Sequence, residues 1–272
     1  MSELRRQQNG DLIWFTSPQL SVYPRLKHAY FTRKGGVSSG IYESLNFRFT
    51  GTDSRDNLLQ NYDIAARLVG GDVNHVIRTT QRHTDNIVTV SQPVTAFTNA
   101  GDGEAGVDAL ITNVPGAVLT GFYADCQLVM LYDHRHRACG VVHAGWRGIA
   151  QEIVRKTIEK IRDTYGCDPR EMIAVVGPSI CRSCFVTDDD VPDAMRDAFG
   201  GMVQEYMYRQ DDKWCVDLKN ITYAMLLRAD IPAINIDISN YCPCCGDKTL
   251  WWSHRRLGEN RGVHAGMICL TE

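Results

Sequence analysis

Three residues far apart in the chain have the side-chain types of an open zinc site. His83 lies in QRHTDNIV, Cys126 in ADCQLVMLYD and His143 in VVHAGWRG. Zinc binds neutral imidazole and thiolate readily, and three protein ligands leave a fourth position for water or a substrate. These residue types therefore predict metal-assisted chemistry at that fourth position.

Short strands and a few helices must position these residues. Apolar runs that alternate or are rich in β-branched residues, bounded by Gly, Pro, Asn or Asp, are typical of strands. Helical spacing predicts helices over 56–69, 149–165, 188–199 and 217–229. The nine runs that predict strands are LIWF, HAYFT, NIVTV, GVDALIT, AVLTGF, QLVMLY, ACGVVH, MIAVVG and INIDIS.

The order of these elements indicates the fold class. The strands cluster and the helices are inserted between them rather than strictly alternating with them, which favours an α+β (mixed α/β) architecture. No linker rich in Pro, Gly or Ser divides the chain, so we expect a single domain over residues 1–272.

Each candidate ligand also has a purely structural interpretation. His83 begins a strand-like run, where Gln81 on the same strand face would orient the imidazole; the alternative is a hydrogen-bonded histidine at a strand end. Cys126 could be a small buried hydrophobe, but the preceding Asp125 would need a cation or a ligand hydroxyl as a partner. His143 precedes a glycine-containing turn between a strand and a helix, where functional side chains reach the rim of a sheet.

The segment FTRKGGVSSG is a second candidate element of the site. Arg33, followed by Gly35 and Gly36, could form a turn whose amides and guanidinium receive phosphate or another oxyanion. Glycine pairs also mark ordinary turns, so both interpretations stay open.

Five further cysteines form two short clusters. Cys181 and Cys184 form C-x-x-C, and Cys242, Cys244 and Cys245 form C-x-C-C. Together they could make a structural zinc site, but the second cluster departs from the usual two-residue gap. Buried free thiols are a sufficient explanation, and the sequence leaves open whether this cluster binds metal.

Composition excludes several classes of protein. The chain has 272 residues, a formal net charge of -3 and no Lys/Arg-rich run, so a nucleic-acid partner is not expected. The N-terminus lacks the apolar stretch of a secretory signal, and no apolar run is long enough to span a membrane. With ten cysteines and no signal, we expect reduced thiols in a cytoplasmic, monomeric protein.

Taken together, the motifs resemble the bacterial multicopper polyphenol oxidase family, also called the laccase-domain or YfiH-like family and known as peptidoglycan editing factor. The resemblance extends over nearly the whole chain. It rests on FTRKGGVSSGIYESLNF, QRHTDNIV, GVDALIT, ADCQLVMLYD, VVHAGWRGIA, GPSICRSCF and CPCCGDKTLWWSHRR.

The resemblance implies a fold, a site and an activity. The implied fold is a single domain of layered mixed β-sheets flanked by helices, similar to the cytotoxic necrotizing factor deamidases. His83, Cys126 and His143 fall on the metal-binding and catalytic triad of the family. The implied activity is zinc-dependent purine nucleoside phosphorolysis of adenosine, inosine and methylthioadenosine, with adenosine deaminase activity, so the partners would be a purine nucleoside and phosphate.

Two other functions remain open. Copper-dependent oxidation of phenols is attributed to the family, and two histidines with a cysteine also suit copper. However, a conventional laccase needs roughly ten histidines for its copper centres, and this chain has eight. The other alternative is a metal-free amidase that uses Cys126 as nucleophile and His143 as base.

Overall fold

A large mixed sheet forms one layer of the computed structural model, which describes residues 3–101 and 104–272. Its neighbouring strands are antiparallel, apart from one short strand that runs parallel to both of its neighbours. Numbered in chain order and taken in spatial order, the strands are Arg5–Asn9 (β1), Leu12–Thr16 (β2), Leu26–Phe31 (β3), His264–Leu270 (β16), Val118–Tyr123 (β8), Val76–Arg78 (β4) and Thr98–Asn99 (β6).

A second mixed sheet lies against the first. Its six strands, in spatial order, are Ile236–Ile238 (β15), Ile173–Val176 (β11), Gln127–Asp133 (β9), Ala138–Ala144 (β10), Ala109–Thr112 (β7) and Ile87–Val90 (β5). The outermost pair at each edge is parallel and the inner pairs are antiparallel. A small antiparallel sheet consists of Val186–Thr187 (β12), Lys213–Val216 (β14) and Met207–Gln210 (β13).

The helices cover the outer faces of the two large sheets. They are Pro18–Ser21 (α1), Arg55–Leu68 (α2), Trp146–Ala150 (α3), Ile153–Tyr165 (α4), Asp190–Phe199 (α5), Leu218–Arg228 (α6) and His254–Leu257 (α7). Within residues 3–101 and 104–272, none of these helices has the length and apolar character needed to cross a bilayer.

Alternating side chains of the central strands fill two different cores. In β10, Cys139 and Val141 pack between the two large sheets, in a cluster that includes Ile268 of β16. Val142 and Ala144 point to the opposite face and pack with the helices, including Ile158 of α4. Because both faces of β10 are covered, all seven of its residues are buried.

The order of layers follows from these cores. Helix α2 packs on the outer face of the first sheet through Tyr62, Ala65 and Ala66. The second sheet carries α3 to α6 on its own outer face. The result is helix, sheet, sheet and helices, which confirms the predicted α+β fold of layered mixed sheets flanked by helices.

Most of the predicted elements are present at their predicted places. Each of the nine predicted runs contains a strand, and helices occupy the four predicted regions. The predicted helix over 149–165 is instead two helices, α3 and α4, because Glu152 adopts a left-handed conformation with φ of 57° that interrupts the helix. The central strand β16 was not predicted: its sequence, HAGMICL, has one β-branched residue, Ile268, and therefore a weak strand signal.

Candidate metal centre

His83, Cys126 and His143 converge at one point. One ligand atom from each side chain lies within 4.8 Å of the other two. Cys126 Sγ is 3.8 Å from His83 Nε2, close to the roughly 3.6 Å between a sulfur and a nitrogen on one tetrahedral zinc ion. The two imidazole rings meet edge to face with centroids 4.9 Å apart.

Two loops and the end of one strand position these side chains. His83 lies between β4 and β5, Cys126 ends the turn between β8 and β9, and His143 is the penultimate residue of β10. Two residues at the site have a positive φ angle. His83 has φ of 61°, and Asp125, which precedes Cys126 in the turn, has φ of 93°. Strained backbone of this kind persists only where surrounding contacts impose it.

Asp108, just before β7, imposes the conformation around His83. Its carboxylate accepts hydrogen bonds from the backbone N–H groups of Arg82, His83 and Thr84 at 3.0, 3.1 and 2.9 Å. Thr84 Oγ1 donates a fourth bond at 2.9 Å. One buried carboxylate therefore fixes the whole turn that presents the His83 imidazole.

The same carboxylate also orients His143. Asp108 Oδ1 is 2.7 Å from His143 Nδ1, and the backbone N–H of His143 donates to the Asp108 carbonyl at 2.7 Å. Because Nδ1 donates to Asp108, the lone pair of Nε2 is free to bind a metal ion. Asp108 thus orients two of the three ligands.

Hydrogen bonding outweighs burial in setting the charges of this group. Burial raises the pKa of Cys126, but contacts with His143 and His83 lower it to about 6. Burial lowers the pKa of His143, but hydrogen bonds with Asp108 and Cys126 raise it to about 9. The pKa of Asp108 falls to about 2, since hydrogen bonds from His143 and the backbone overcome its burial. At neutral pH the metal-free site therefore holds a thiolate beside an imidazolium.

The space between the ligands fits a metal ion. A Cβ atom placed on Gly145 would lie 3.1 Å from His83 Nε2 and 3.2 Å from Cys126 Sγ. Glycine at this position keeps the volume bounded by the ligand atoms free of side chain. With two imidazoles and a thiolate as donors, this volume suits a borderline-soft divalent ion.

The three ligands lie in the wall of a cavity of about 800 Å³, within the size range of small-molecule sites. The rest of its lining combines arginines with aromatic rings. The arginines are Arg48, Arg78, Arg82, Arg147, Arg255 and Arg261, and the aromatic residues include Phe47, Phe49, Phe122, Trp146 and Phe185. Arg147 and Trp146 are stacked, with the guanidinium carbon 4.1 Å from the ring centroid.

Asp125 lines the cavity next to Cys126 and finds partners within the chain. Its Oδ2 accepts hydrogen bonds from Ser253 Oγ at 2.8 Å and from the Arg255 backbone N–H at 2.7 Å. Its Oδ1 is buried and accepts no hydrogen bond from the described residues. The site residue predicted at 125 thus lies at the cavity and retains one unused acceptor.

Arg33 is not among the residues that line the cavity. Its Nε donates to the Glu43 carbonyl at 2.7 Å, and its guanidinium lies 4.9 Å from the Trp252 ring centroid. The amides of Gly35 and Gly36 both donate to Ser44 Oγ at 3.1 Å. The hydroxyl of Ser44 thus accepts the two amide donors that the sequence assigned to an oxyanion.

Asp108 has the orienting role that the sequence analysis predicted for Gln81. Gln81 bonds both ways to the backbone of Phe122, with Oε1 accepting at 2.7 Å and Nε2 donating at 3.0 Å, and it does not orient His83. Asp108 was missed as the orienting residue. Its signal was present in GVDALIT, where an acid in an apolar run requires a buried partner.

Comparison with known proteins places these features in a family context. A family model described as multi-copper polyphenol oxidoreductase laccase matches residues 27–271. The chain is 28% identical over 246 residues to a purine nucleoside phosphorylase of Bacteroides thetaiotaomicron, covering 89% of this chain and 91% of the relative. It is 31% identical over 241 residues to adenosine deaminase RL5 from an unknown prokaryotic organism, covering 86% and 90% of the two chains.

The fold also resembles that of solved structures. The crystal structure of the hypothetical protein YfiH of Bacillus licheniformis superposes with a TM-score of 0.87 at 25% sequence identity. The match covers 98% of this chain and 99% of the other.

Proposed function

The chain belongs to the multi-copper polyphenol oxidoreductase laccase family, and from this premise we propose that it is a zinc-dependent purine nucleoside phosphorylase. Its proposed substrates are adenosine, inosine and methylthioadenosine, with an accompanying adenosine deaminase activity. Relatives with these two names support an enzyme of this kind. The observation that carries the proposal is the convergence of His83, Cys126 and His143 in the wall of one cavity.

The lining of the cavity suits both substrates of phosphorolysis. Phosphate is an anion that guanidinium groups bind with two parallel hydrogen bonds. The guanidinium of Arg147 makes no hydrogen bond or salt bridge with another described residue, so its donors are available to an anion. Flat aromatic faces such as those of Phe49 and Trp146 can stack with a purine ring.

His83, Cys126 and His143 would hold the metal ion, and Asp108 would keep a proton on His143 Nδ1. A zinc ion bound there supplies Lewis-acid polarisation of an oxygen ligand. Asp108 keeps His143 in the tautomer whose Nε2 faces the site, and the lowered pKa of Cys126 provides a thiolate at neutral pH. We propose His83, Cys126 and His143 as metal ligands and Asp125 as a substrate-contacting residue.

Zinc is favoured over a laccase-type set of copper ions because the other histidines are used elsewhere. His28 and His264 are buried and accept backbone N–H groups of Ser17 and Trp252 at 2.8 and 3.0 Å. His75, His134 and His136 contact Asp72, Tyr23 and Asp133 in turn. Only His254 remains at the cavity with the triad in the described part of the chain.

A metal-free thiol enzyme is the second candidate, and the charge state of the site favours it. The thiolate of Cys126 beside the imidazolium of His143 is the arrangement of a cysteine nucleophile with its base. In such an enzyme a carboxylate orients the histidine, as Asp108 does here. This candidate would act on an amide without a metal.

One experiment tests the reaction class and the need for metal together. The purified protein is incubated with adenosine and phosphate, with and without a strong chelator, and adenine, inosine and hypoxanthine are separated. We expect adenine and inosine without chelator and neither product with it, with activity restored by zinc. Full turnover in chelator, lost only on thiol alkylation, would support the thiol enzyme instead.

A further inference from the structure

We propose that Cys181, Cys184, Cys242 and Cys245 form a second, structural zinc site. It is separate from the triad and does not depend on the proposed function. The four sulfurs lie within 4.8 Å of one another, and Cys181 Sγ is 3.8 Å from Cys245 Sγ. A tetrahedron of sulfurs around zinc, with bonds of about 2.3 Å, has edges of about 3.8 Å. The cysteines are free thiols rather than disulfides, so all four sulfurs are available as ligands.

The spacing of the ligands is that of zinc knuckles. The second cluster does contain a two-residue gap, between Cys242 and Cys245, contrary to the interpretation from its C-x-C-C pattern. The structure leaves Cys244 out of the group and uses Cys242 and Cys245, which are separated by two residues like Cys181 and Cys184. The set is therefore C-x-x-C twice, a typical ligand arrangement for structural zinc.

The two C-x-x-C segments also share one backbone conformation. In each, the residue after the second cysteine donates its N–H to the carbonyl of the first: Phe185 to Cys181 at 3.0 Å, and Gly246 to Cys242 at 2.8 Å. A Cβ on Gly246 would lie 2.5 Å from the Cys242 carbonyl oxygen, so this tight turn requires glycine. The backbone N–H of Cys181 points at Cys242 Sγ at 3.3 Å, a hydrogen bond that stabilises a thiolate ligand.

A buried lysine supplies charge compensation. Four thiolates around Zn²⁺ carry a net charge of −2, which is costly to bury without a cation. Lys219 is buried, and its Nζ donates to the carbonyls of Ser239 and Tyr241 at 2.6 and 3.1 Å. It forms no salt bridge with a carboxylate in the described part of the chain. A zinc tetrathiolate beside it would give this ammonium group an anionic partner.

The site would tie the segment that contributes Ile180 and Phe185 to the cavity wall to the loop that holds Cys242 and Cys245. The Arg256 guanidinium donates to the carbonyls of Pro243 and Cys244 at 2.8 Å each, and Arg255 donates to the carbonyl of Cys184 at 3.3 Å. The backbone N–H of Arg255 also binds Asp125, next to Cys126. Arg255 therefore links the four-cysteine site to the turn that carries Cys126. The zinc would stabilise that turn without contacting substrate.

Metal analysis of variants tests this inference. In a His83→Ala/His143→Ala background, which removes the triad site, we expect about one zinc per chain. Adding Cys184→Ser and Cys245→Ser should remove that zinc, whereas adding Cys244→Ser, in the same loop but outside the group, should not. No zinc in the background variant, iron in its place, or equal loss with Cys244→Ser would overturn the proposal.

A measurement on the unaltered protein covers the case in which the cysteine variants fail to fold. Cys245 is exposed, so an alkylating reagent at alkaline pH, where its thiolate forms, should modify it in native protein if no metal holds it. We expect mass spectrometry to show Cys245 unmodified until a strong chelator is added. Rapid alkylation without chelator would contradict the site. Zinc held by these cysteines in a protein that lacks phosphorolysis would refute the proposed function and leave this inference standing.

Discussion

Asp108 Oδ1 lies 2.7 Å from His143 Nδ1, and both side chains are buried. The same carboxylate accepts the backbone N–H of His83 at 3.1 Å. One residue thus orients a histidine on β10 and fixes the turn that carries the other histidine. The geometry of the site depends on a residue that is not itself one of its three proposed ligands.

Alanine at any ligand position should abolish phosphorolysis of adenosine while leaving the fold intact. His83→Ala, Cys126→Ala and His143→Ala each remove one of three donors, and two donors do not hold zinc in a catalytic geometry. Product formation and circular dichroism check this. Retained turnover in any one of the three would contradict the ligand assignment.

Asp108→Asn should lower zinc affinity by about 10- to 100-fold, the usual effect of losing a carboxylate that orients a metal-binding histidine. The amide no longer holds His143 by a charged acceptor and accepts fewer backbone hydrogen bonds. Competition with a chromogenic chelator measures the affinity. Asp72→Asn is the matched control, because Asp72 contacts His75 at 3.0 Å outside the cavity lining, and it should have no effect.

Gly145→Ala should reduce zinc affinity and turnover by about 5- to 150-fold. The new Cβ would lie 2.5 Å from His83 Cδ2, and relieving an overpacked contact of this kind costs about 1–3 kcal/mol. Titration with zinc and kinetic measurement of the same preparation give both values. Gly201→Ala, where nothing lies within 4 Å of the added Cβ, should behave like the unaltered protein.

Zinc binding at the triad should release about one proton per ion at pH 7.5. At this pH Cys126, with a pKa of about 6, is already deprotonated, whereas His143, with a pKa of about 9, is still protonated and must lose its proton. Above pH 9 the release should fall toward zero, and below pH 6 it should rise as Cys126 also becomes protonated. Calorimetry in buffers of different ionisation enthalpy counts these protons. The Cys184→Ser/Cys245→Ser variant isolates the triad, and a pH-independent count would argue against the thiolate–imidazolium pair.

Arg147→Ala should raise the KM for phosphate by about tenfold or more, because a bound phosphate would lose a charge-assisted hydrogen bond worth about 1.5–3 kcal/mol. Arg33→Ala should leave this KM unchanged, since Arg33 does not line the cavity. Initial rates at varied phosphate measure both. A raised KM for phosphate in Arg33→Ala, with an unchanged KM in Arg147→Ala, would instead support the anion site predicted in FTRKGGVSSG.

Local sequence was enough to predict most of the framework. The strand runs and four helical regions are encoded by side-chain periodicity over short windows, which depends on the nearest neighbours in the chain. The periodicity could not reveal the break at Glu152, which rests on one residue's left-handed backbone. The sequence did not reveal β16 either, because its run HAGMICL has a single β-branched residue.

What could be predicted about the proposed site depends on the same distinction between local sequence and tertiary contacts. Residue type singled out His83, Cys126 and His143, since few side chains bind soft metal ions. Whether Arg33 or Arg147 reaches the cavity, and whether Cys242 pairs with Cys244 or Cys245 in the second group, depends on where separate loops meet.

The amino-acid sequence by itself determined nine of the strands, the main helices and the donor chemistry of the triad, because these follow from periodicity and from the nature of single side chains. Only the tertiary structure decided that Asp108 orients two histidines and that the sulfurs of four cysteines from two distant segments lie within 4.8 Å of one another. The physical reason is that such contacts join residues whose distance in space is set by the packing of whole sheets, which no local window of sequence contains.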